Sequence, residues 1–276
     1  MLVKLLIITS CFVASAAQAF TDRNDIPSCV DNLPQEYVDN SLKRELFVII
    51  DRTMSGSLND KVTIETYRQV SRFIKPGDSV QVIQFSSFNK DGFTNVEFKG
   101  RTDFPLSEDS RDHIRKSQLL NFDKCLKDQH QFFLARIGVA LKESFSPQEN
   151  TDFSEVITAL VDISKQIVST ADADEKVVLL VSDMLENSAS TTFYHRGSVR
   201  NINAKKELDN VIARDELGNF DSARVYIMGA GLLPGGQNYL SSKKMKLVEQ
   251  FWSGYFSQSS ADLKGFGKPL LLAQFK

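Results

Sequence analysis

Short runs of continuous apolar residues alternate along the chain with longer stretches in which apolar positions recur every three or four residues. Glu45 to Ile50 is a run of the first kind, stopping at Asp51, as expected of a strand covered on both faces. Asp60 to Lys75 is of the second kind, with Val62, Tyr67, Val70, Phe73 and Ile74 on one helical face, and Pro76-Gly77-Asp78 ends it. Ser79 to Phe85 and Phe93 to Phe98 read as strands on either side of Asn89-Lys90-Asp91-Gly92. An Asp-Gly pair between two such runs predicts a hairpin, and so an antiparallel third strand at a sheet edge.

From about Ser107 to Phe145 the pattern is helical, with Ile114, Leu119, Phe122, Leu126, Phe133, Ile137 and Leu141 as core positions. Thr151 opens a further helix whose stripe is Phe153, Val156, Leu160, Ile163 and Ile167. Val177 to Val181 is a fourth strand, halting before Asp183, and Ala223 to Met228 a fifth, ending at Gly229-Ala230-Gly231. A helix from Ala204 to Leu217, another from Lys244 to Phe256 and a last strand from Pro269 to Phe275 complete the expectation. Strands alternating with amphipathic helices predict a doubly wound, mostly parallel α/β sheet with one antiparallel edge strand, a Rossmann-like architecture. Residues 45–276 read as one such domain with helical insertions near 101–147 and 186–221, preceded by an irregular leader at 20–44 that contains Pro27 and Pro34.

The first residues bear on location. Lys4, the apolar run Leu5 to Val13 and the small-residue site Ala17-Gln18-Ala19 predict a signal peptide over residues 1–19, too short to cross a bilayer, which needs roughly 20 apolar residues. Ile8-Thr9-Ser10-Cys11 loosely resembles a lipidation site and is the competing reading. Export to the periplasm or outside the cell follows, with no membrane span after cleavage. Net charge is -2 for the whole chain, which implies no basic face and no nucleic-acid partner. Of the three cysteines, Cys29 and Cys125 survive processing. An oxidising compartment lets them pair if the fold brings them together; otherwise they are two separate buried thiols.

In a doubly wound sheet, ligands bind beyond the carboxyl ends of the strands, near the point where winding reverses. The residues there are Asp51-Arg52-Thr53-Met54-Ser55, Ser182-Asp183 and Asn150-Thr151-Asp152. They supply carboxylates and hydroxyls from three loops, a set suited to a small hard cation such as Mg2+, or Mn2+ or Ca2+, which takes oxygen ligands and keeps several waters.

Val48-Ile49-Ile50-Asp51-Arg52-Thr53-Met54-Ser55 resembles the DxSxS segment of von Willebrand factor A domains, which forms their metal-ion-dependent adhesion site (MIDAS). Phe73 to Val80, Phe85-Ser86, Val177 to Asp183, Thr151 ahead of Ala159-Leu160, and Val225 to Gly231 resemble further parts of that family, over most of residues 45–260. The resemblance implies that Thr53 and Ser55 contact the cation directly, Thr151 directly or through water, and Asp51 and Asp183 mainly through water. It also implies a protein partner whose acidic residue completes the coordination. Thr53 replaces serine, while Asn150 and Met184 stand where the family commonly has glycine. The competing reading is a metal-free scaffold in which Asp51 and Asp183 bond loop amides.

Arg52, Tyr194 and Arg196 are candidates for a partner-binding rim, the last two in a polar stretch, Thr191 to Asn203, that is otherwise a solvated loop. His113, His130 and His195 are scattered and form no metalloprotease or triad motif, and Ser182 lies in no nucleophile elbow. Asp51 after a first strand also fits a metal-dependent phosphatase, although such enzymes typically carry a second acid where this chain has Thr53. The expected function is therefore metal-assisted binding of a partner in an envelope or extracellular assembly, without catalysis. The alternative is a metal-free structural subunit.

Overall fold

The computed structural model describes residues 23–57, 60–86, 94–146, 155–233 and 238–267; of residues 55–57 and 60 only the backbone is described. The expected signal peptide, the Asn89–Gly92 turn, the Thr151-Asp152-Phe153 helix start and the expected Pro269–Phe275 strand lie outside these residues.

Eight strands and six helices are described: β1 (Arg44–Asp51), α1 (Asp60–Phe73), β2 (Ser79–Phe85), β3 (Thr94–Arg101), α2 (Glu108–Asp112), α3 (Lys116–Ser144), α4 (Val156–Ile163), β4 (Glu175–Val181), β5 (Tyr194–His195), β6 (Ser198–Val199), α5 (Ala204–Ala213), β7 (Arg224–Met228), α6 (Ser242–Gln258) and β8 (Asp262–Phe266). Six strands form one sheet in the order β3-β2-β1-β4-β7-β8. All neighbours are parallel except β2 and β3, which pair antiparallel from Ser79↔Arg101 to Phe85↔Thr94. The expected fold class is the observed one. One strand was not expected: β8, Asp262–Phe266, a half-exposed edge strand of mixed polarity.

The period of two in β1 sorts its side chains onto two layers. Phe47 and Ile49 join Leu160, Ile163, Phe251, Trp252 and Phe256 on the face covered by α4, α5 and α6. Leu46, Val48 and Ile50 join Val62, Val70, Phe73, Phe133, Ile137 and Leu141 on the face covered by α1 and α3. Both faces being dry explains why the central strands carry unbroken apolar runs. Tyr67, expected on the core face of α1, is partly exposed instead, and the buried positions beside it are Thr66 and Gln69.

The stretch near 101–147 divides in two. From Phe133 onward α3 belongs to the sheet-covering layer, whereas its first half packs Phe122 with Leu33, Leu106 and Ile114 in a separate small cluster that includes Cys29. Cys29 and Cys125 are disulfide-bonded there, with Cα atoms 5.7 Å apart across a sequence separation of 96. The leader before β1 is irregular apart from a single turn at Gln35–Tyr37. It also runs along the open edge of β3. The Asp25 amide donates to the Lys99 carbonyl (2.9 Å) and the Asp25 carboxylate accepts from the Lys99 amide (3.2 Å). Asn24 Oδ1 accepts from the Arg101 amide, and Arg23 donates to the Val96 and Glu97 carbonyls. Edge-strand groups that would otherwise invite pairing with another chain are thereby occupied.

Closing a loop of this length removes enough unfolded-chain freedom that the paired Cys29→Ser, Cys125→Ser variant is expected to lose about 2–5 kcal/mol in urea unfolding. A loss below about 1 kcal/mol would mean that the edge hydrogen bonds hold the leader without it.

Candidate functional site

The winding reverses between β1 and β4. From β1 the sheet grows through β2 to β3 on one side and through β4, β7 and β8 on the other. The parallel register ends at Ile50↔Val181, so Asp51 and Ser182 are the next residues of adjacent strands, at the carboxyl edge where such sheets bind ligands.

Asp51 is fully buried. Its Oδ1 accepts from the Thr53 amide (3.0 Å) and the Thr53 hydroxyl (2.5 Å), a local turn built by the carboxylate itself. Its Oδ2 accepts from the Ser182 hydroxyl (2.9 Å), whose oxygen in turn accepts from the Met184 amide (3.0 Å). Thr53 spends its only hydroxyl proton on Asp51, so any further contact of that oxygen is made through its lone pairs. Asp183 Oδ1 accepts from the Leu185 amide (2.8 Å), and its carbonyl accepts from the Gly231 amide (2.7 Å), tying the β4 loop to the β7 loop.

Met184 adopts φ 59°, the left-handed conformation that explains a preference for glycine at this position. Methionine holds it here because the side chain is fully buried and the Trp252 indole donates to its carbonyl (2.9 Å). Gly229-Ala230-Gly231 forms a turn, as expected. At Gly231 (φ 72°) a Cβ would fall 1.9 Å from Met245 Cε, so both conformation and space demand glycine.

Of the five residues expected to hold a cation, the structure brings Asp51, Thr53 and Asp183 together at this edge. The Ser55 backbone follows in the same turn, Arg52–Ser57; its side chain and all of Thr151 lie outside the described residues. Burial raises the Asp183 carboxyl well above the ordinary carboxylate range, and the nearby charge of Asp51 adds to that, against the Leu185 hydrogen bond. Two carboxylates crowded in a poorly solvated place, with a hydroxyl oxygen beside them, fit a divalent cation, which would offset their repulsion. Among the described residues no group of three or more His, Cys, Asp or Glu side chains could hold a metal, so a cation here would draw on hydroxyls, water and two acids.

The rim candidates differ among themselves. Arg52 is half-buried, and burial lowers its pKa against the pull of Glu97 on β3, which places it toward the β2–β3 side. Tyr194 stands on the other side. Burial raises its phenol, then the charges of Asp183 and Asp51 raise it further. Arg196 is exposed at a hairpin tip.

Two residues here escaped sequence reading in any functional sense. Ser182 positions Asp51 through a contact 131 residues apart in the chain, which no local pattern signals. Glu186 is fully buried, with Oε2 accepting from the Ile157 amide at the start of α4 (2.9 Å) and Oε1 without a hydrogen-bond partner among the described residues. Burial pushes its carboxyl up to about 8, with the Ser188 hydroxyl and the Ile157 amide opposing. No local signal marks it, since Glu186 follows only Met184-Leu185 and precedes the polar Asn187-Ser188, as an ordinary loop acid would.

No family model matches the sequence, and no curated protein matches it significantly. Solved structures do. Proximal thread matrix protein 1 from the mussel byssus is 14% identical with TM-score 0.35, the match covering 79% of this chain and 46% of that one, so the chain spans about half its length. The same mussel protein with a zinc-occupied MIDAS motif gives 12% identity and TM-score 0.34, covering 79% and 48%. An aerotolerance-related membrane protein from Bacteroides fragilis gives 14% identity and TM-score 0.33, covering 81% and 92%. At such scores the strand order and register remain the ground for assigning the fold. The fold is von Willebrand factor A-like. Among the described residues no helix is long and apolar enough to cross a membrane.

Ser182→Ala strips the buried Asp51 oxygen and the Met184 amide of a partner, and is expected to cost about 1–3 kcal/mol in chemical denaturation; an unchanged midpoint would remove the positioning role. Glu186 generates a pH signature. Its folded-state carboxyl at about 8 exceeds the ordinary value near 4.3, so between the two the folded protein keeps a proton the unfolded chain has released. The contribution of Glu186 is thus full below about pH 4.3 and lost as pH rises through about 8. In EDTA, Glu186→Gln is expected to flatten the decline over that window, and a wild-type profile parallel to the variant's would refute the assignment.

Proposed function

We propose that this is an exported von Willebrand factor A-like protein that grips an acidic side chain of a partner protein through a divalent cation, within an envelope or extracellular assembly. The observation that carries the proposal is the convergence of Asp51, Thr53 and Asp183 at the switch point between β1 and β4. In this reading Thr53, with Ser55 and Thr151, supplies neutral oxygens, and Asp51 and Asp183 act mainly through water. A cation with so few direct carboxylates stays net positive and keeps an exchangeable position. Oxygen-only donors favour Mg2+ or Mn2+, with Ca2+ also compatible. Its task is gripping, not turnover.

The Cys29–Cys125 disulfide supports export, since such bonds persist in oxidising compartments. A second reading, a metal-free structural subunit, draws on one specific observation: both oxygens of Asp51 already accept hydrogen bonds.

Thermal unfolding of residues 20–276 in EDTA, Mg2+, Mn2+ or Ca2+, beside Asp51→Ala, separates the two. An ion that binds only the folded state at 100 times its dissociation constant adds about 2.7 kcal/mol. The expected result is a cation-dependent rise in midpoint that Asp51→Ala abolishes. Equal midpoints in EDTA and in saturating cation would favour the metal-free subunit.

A further inference from the structure

The first half of α3 carries a row of exposed residues at intervals of four: Leu120, Lys124, Asp128 and Phe132. At about 3.6 residues per turn they form one inclined ridge of the helix, with successive members about 6 Å apart along its axis. The ends of the row are apolar and open to solvent. Leu120 is 71% exposed, the most of any large apolar side chain described, and Phe132 is 45% exposed. The middle holds opposite charges, and neither Lys124 nor Asp128 has an ion pair or hydrogen bond among the described residues. A lysine that precedes its acid by four residues is in the less favourable order for pairing within a helix. The neighbouring Asp123, by contrast, is taken by Arg111 through two bonds (2.8 and 2.6 Å).

Beside the row a cavity of about 360 Å³ opens between α3 and the leader, walled by Pro27, Cys125, Gln129 and Phe132 and flanked by Lys124 and Asp128. Gln129 serves there as wall and not as a free polar group. Its carbonyl oxygen accepts from the Asp103 amide (2.9 Å), and its amide donates to the Pro27 carbonyl (2.8 Å) and the Asp103 carboxylate (2.7 Å). With the Cys29–Cys125 disulfide, these bonds hold the walls in place, so the cavity is preformed for an apolar group.

Read in the opposite direction, the row keeps its apolar ends and exchanges its two charges. That is the complementarity a two-fold axis requires, where residue i of one copy meets residue j of the other and j meets i. We propose that this ridge is a self-association surface, on which a second copy of this chain packs its own α3 antiparallel about a two-fold axis level with Leu126. Lys124 of each copy then faces Asp128 of the other, and Leu120 of each meets Phe132 of the other at the mouth of the cavity. Interdigitation of two such ridges, crossing at about −50°, is the commonest class of helix packing. Lys116 and Arg136, the next members of the row, are carried out of the contact by that crossing and by the drift of about 40° per step around the helix. A single helix crossing is smaller than the roughly 1,200–2,000 Å² of a standard interface, so the dimer is reversible and forms where the protein is concentrated. The surface shares no residue with the cation site, and the proposal stands whether or not a metal binds.

Analytical ultracentrifugation of the purified protein, up to millimolar concentration, is the test, beside Leu120→Ser, Lys124→Asp, Asp128→Lys and the double exchange of Lys124→Asp with Asp128→Lys. All three positions are exposed, so thermal midpoints are expected to stay at wild type. The wild type is expected to dimerise reversibly. Each single charge variant sets two like-charge pairs across the axis and should weaken dimerisation about tenfold or more in Kd, and Leu120→Ser should weaken it as well. The double exchange should restore it. So should an equimolar mixture of the two single charge variants, in which both pairs across the axis are again opposite. A wild type that stays monomeric throughout overturns the proposal, as does a dimer that the charge variants leave unchanged. Dissociation by the single variants without recovery in the mixture and in the double exchange overturns the antiparallel arrangement, and the proposal with it.

Discussion

The enclosed carboxylate of Asp51 is the constraint around which this carboxyl edge is arranged. A carboxylate so far from water is tolerable only when its lone pairs are occupied by donors. Those donors come from two places, the turn that follows β1 and Ser182 at the end of β4. Because Ser182 also accepts from the Met184 amide, the path of the chain after β4 is linked to the carboxylate of β1. Trp252 of α6 closes the arrangement by donating to the Met184 carbonyl. The site therefore depends on three non-contiguous elements, and its geometry is as stable as the α6 layer that backs it.

The same dependence decides what could be read from sequence. β1, β2, β4 and β7 were legible because burial on both faces writes unbroken apolar runs, and Asp51 and Asp183 were legible because they end two of those runs. β8 was not, since Asp262–Phe266 is an edge strand with half-exposed side chains and no apolar run to announce it. The Tyr194–Val199 hairpin was hidden in a polar stretch because Arg196-Gly197 lacks the Asn-Gly or Asp-Gly signal. α5 stops at Ala213, earlier than the Leu217 expected from its periodicity, as Asp215 turns into positive φ. Ser182 and Glu186 owe their roles to partners far along the chain, Asp51 and Ile157, and local pattern carries no trace of that.

The leader makes a comparable point about division of labour. Its residues add little to the main core, with Ile26 the exception. They instead occupy the β3 edge by backbone and side-chain hydrogen bonds, while the disulfide pins them to α3. A sheet with β3 bare would offer a long pairing edge at one flank. Covering it leaves β8, at the opposite flank, as the sheet's other edge among the described residues.

Backbone conformation shows how the fold accommodates local strain. Among the described residues, six non-glycine positions have positive φ, and four of them are Asp or Ser, whose short polar side chains can bond locally. Met184 and Arg196 are the two long ones, each adopting a conformation of order 1–3 kcal/mol less favourable than the usual regions. At Met184 the surroundings account for it, through full burial and two hydrogen bonds to its backbone. At Arg196 the two-residue hairpin accounts for it, since a turn whose twist matches β5 and β6 needs positive φ at both central positions. Strain that the interior offsets is a feature of the scaffold. Positive φ at Arg196 is likewise a feature of the scaffold, set by the register of the hairpin it closes.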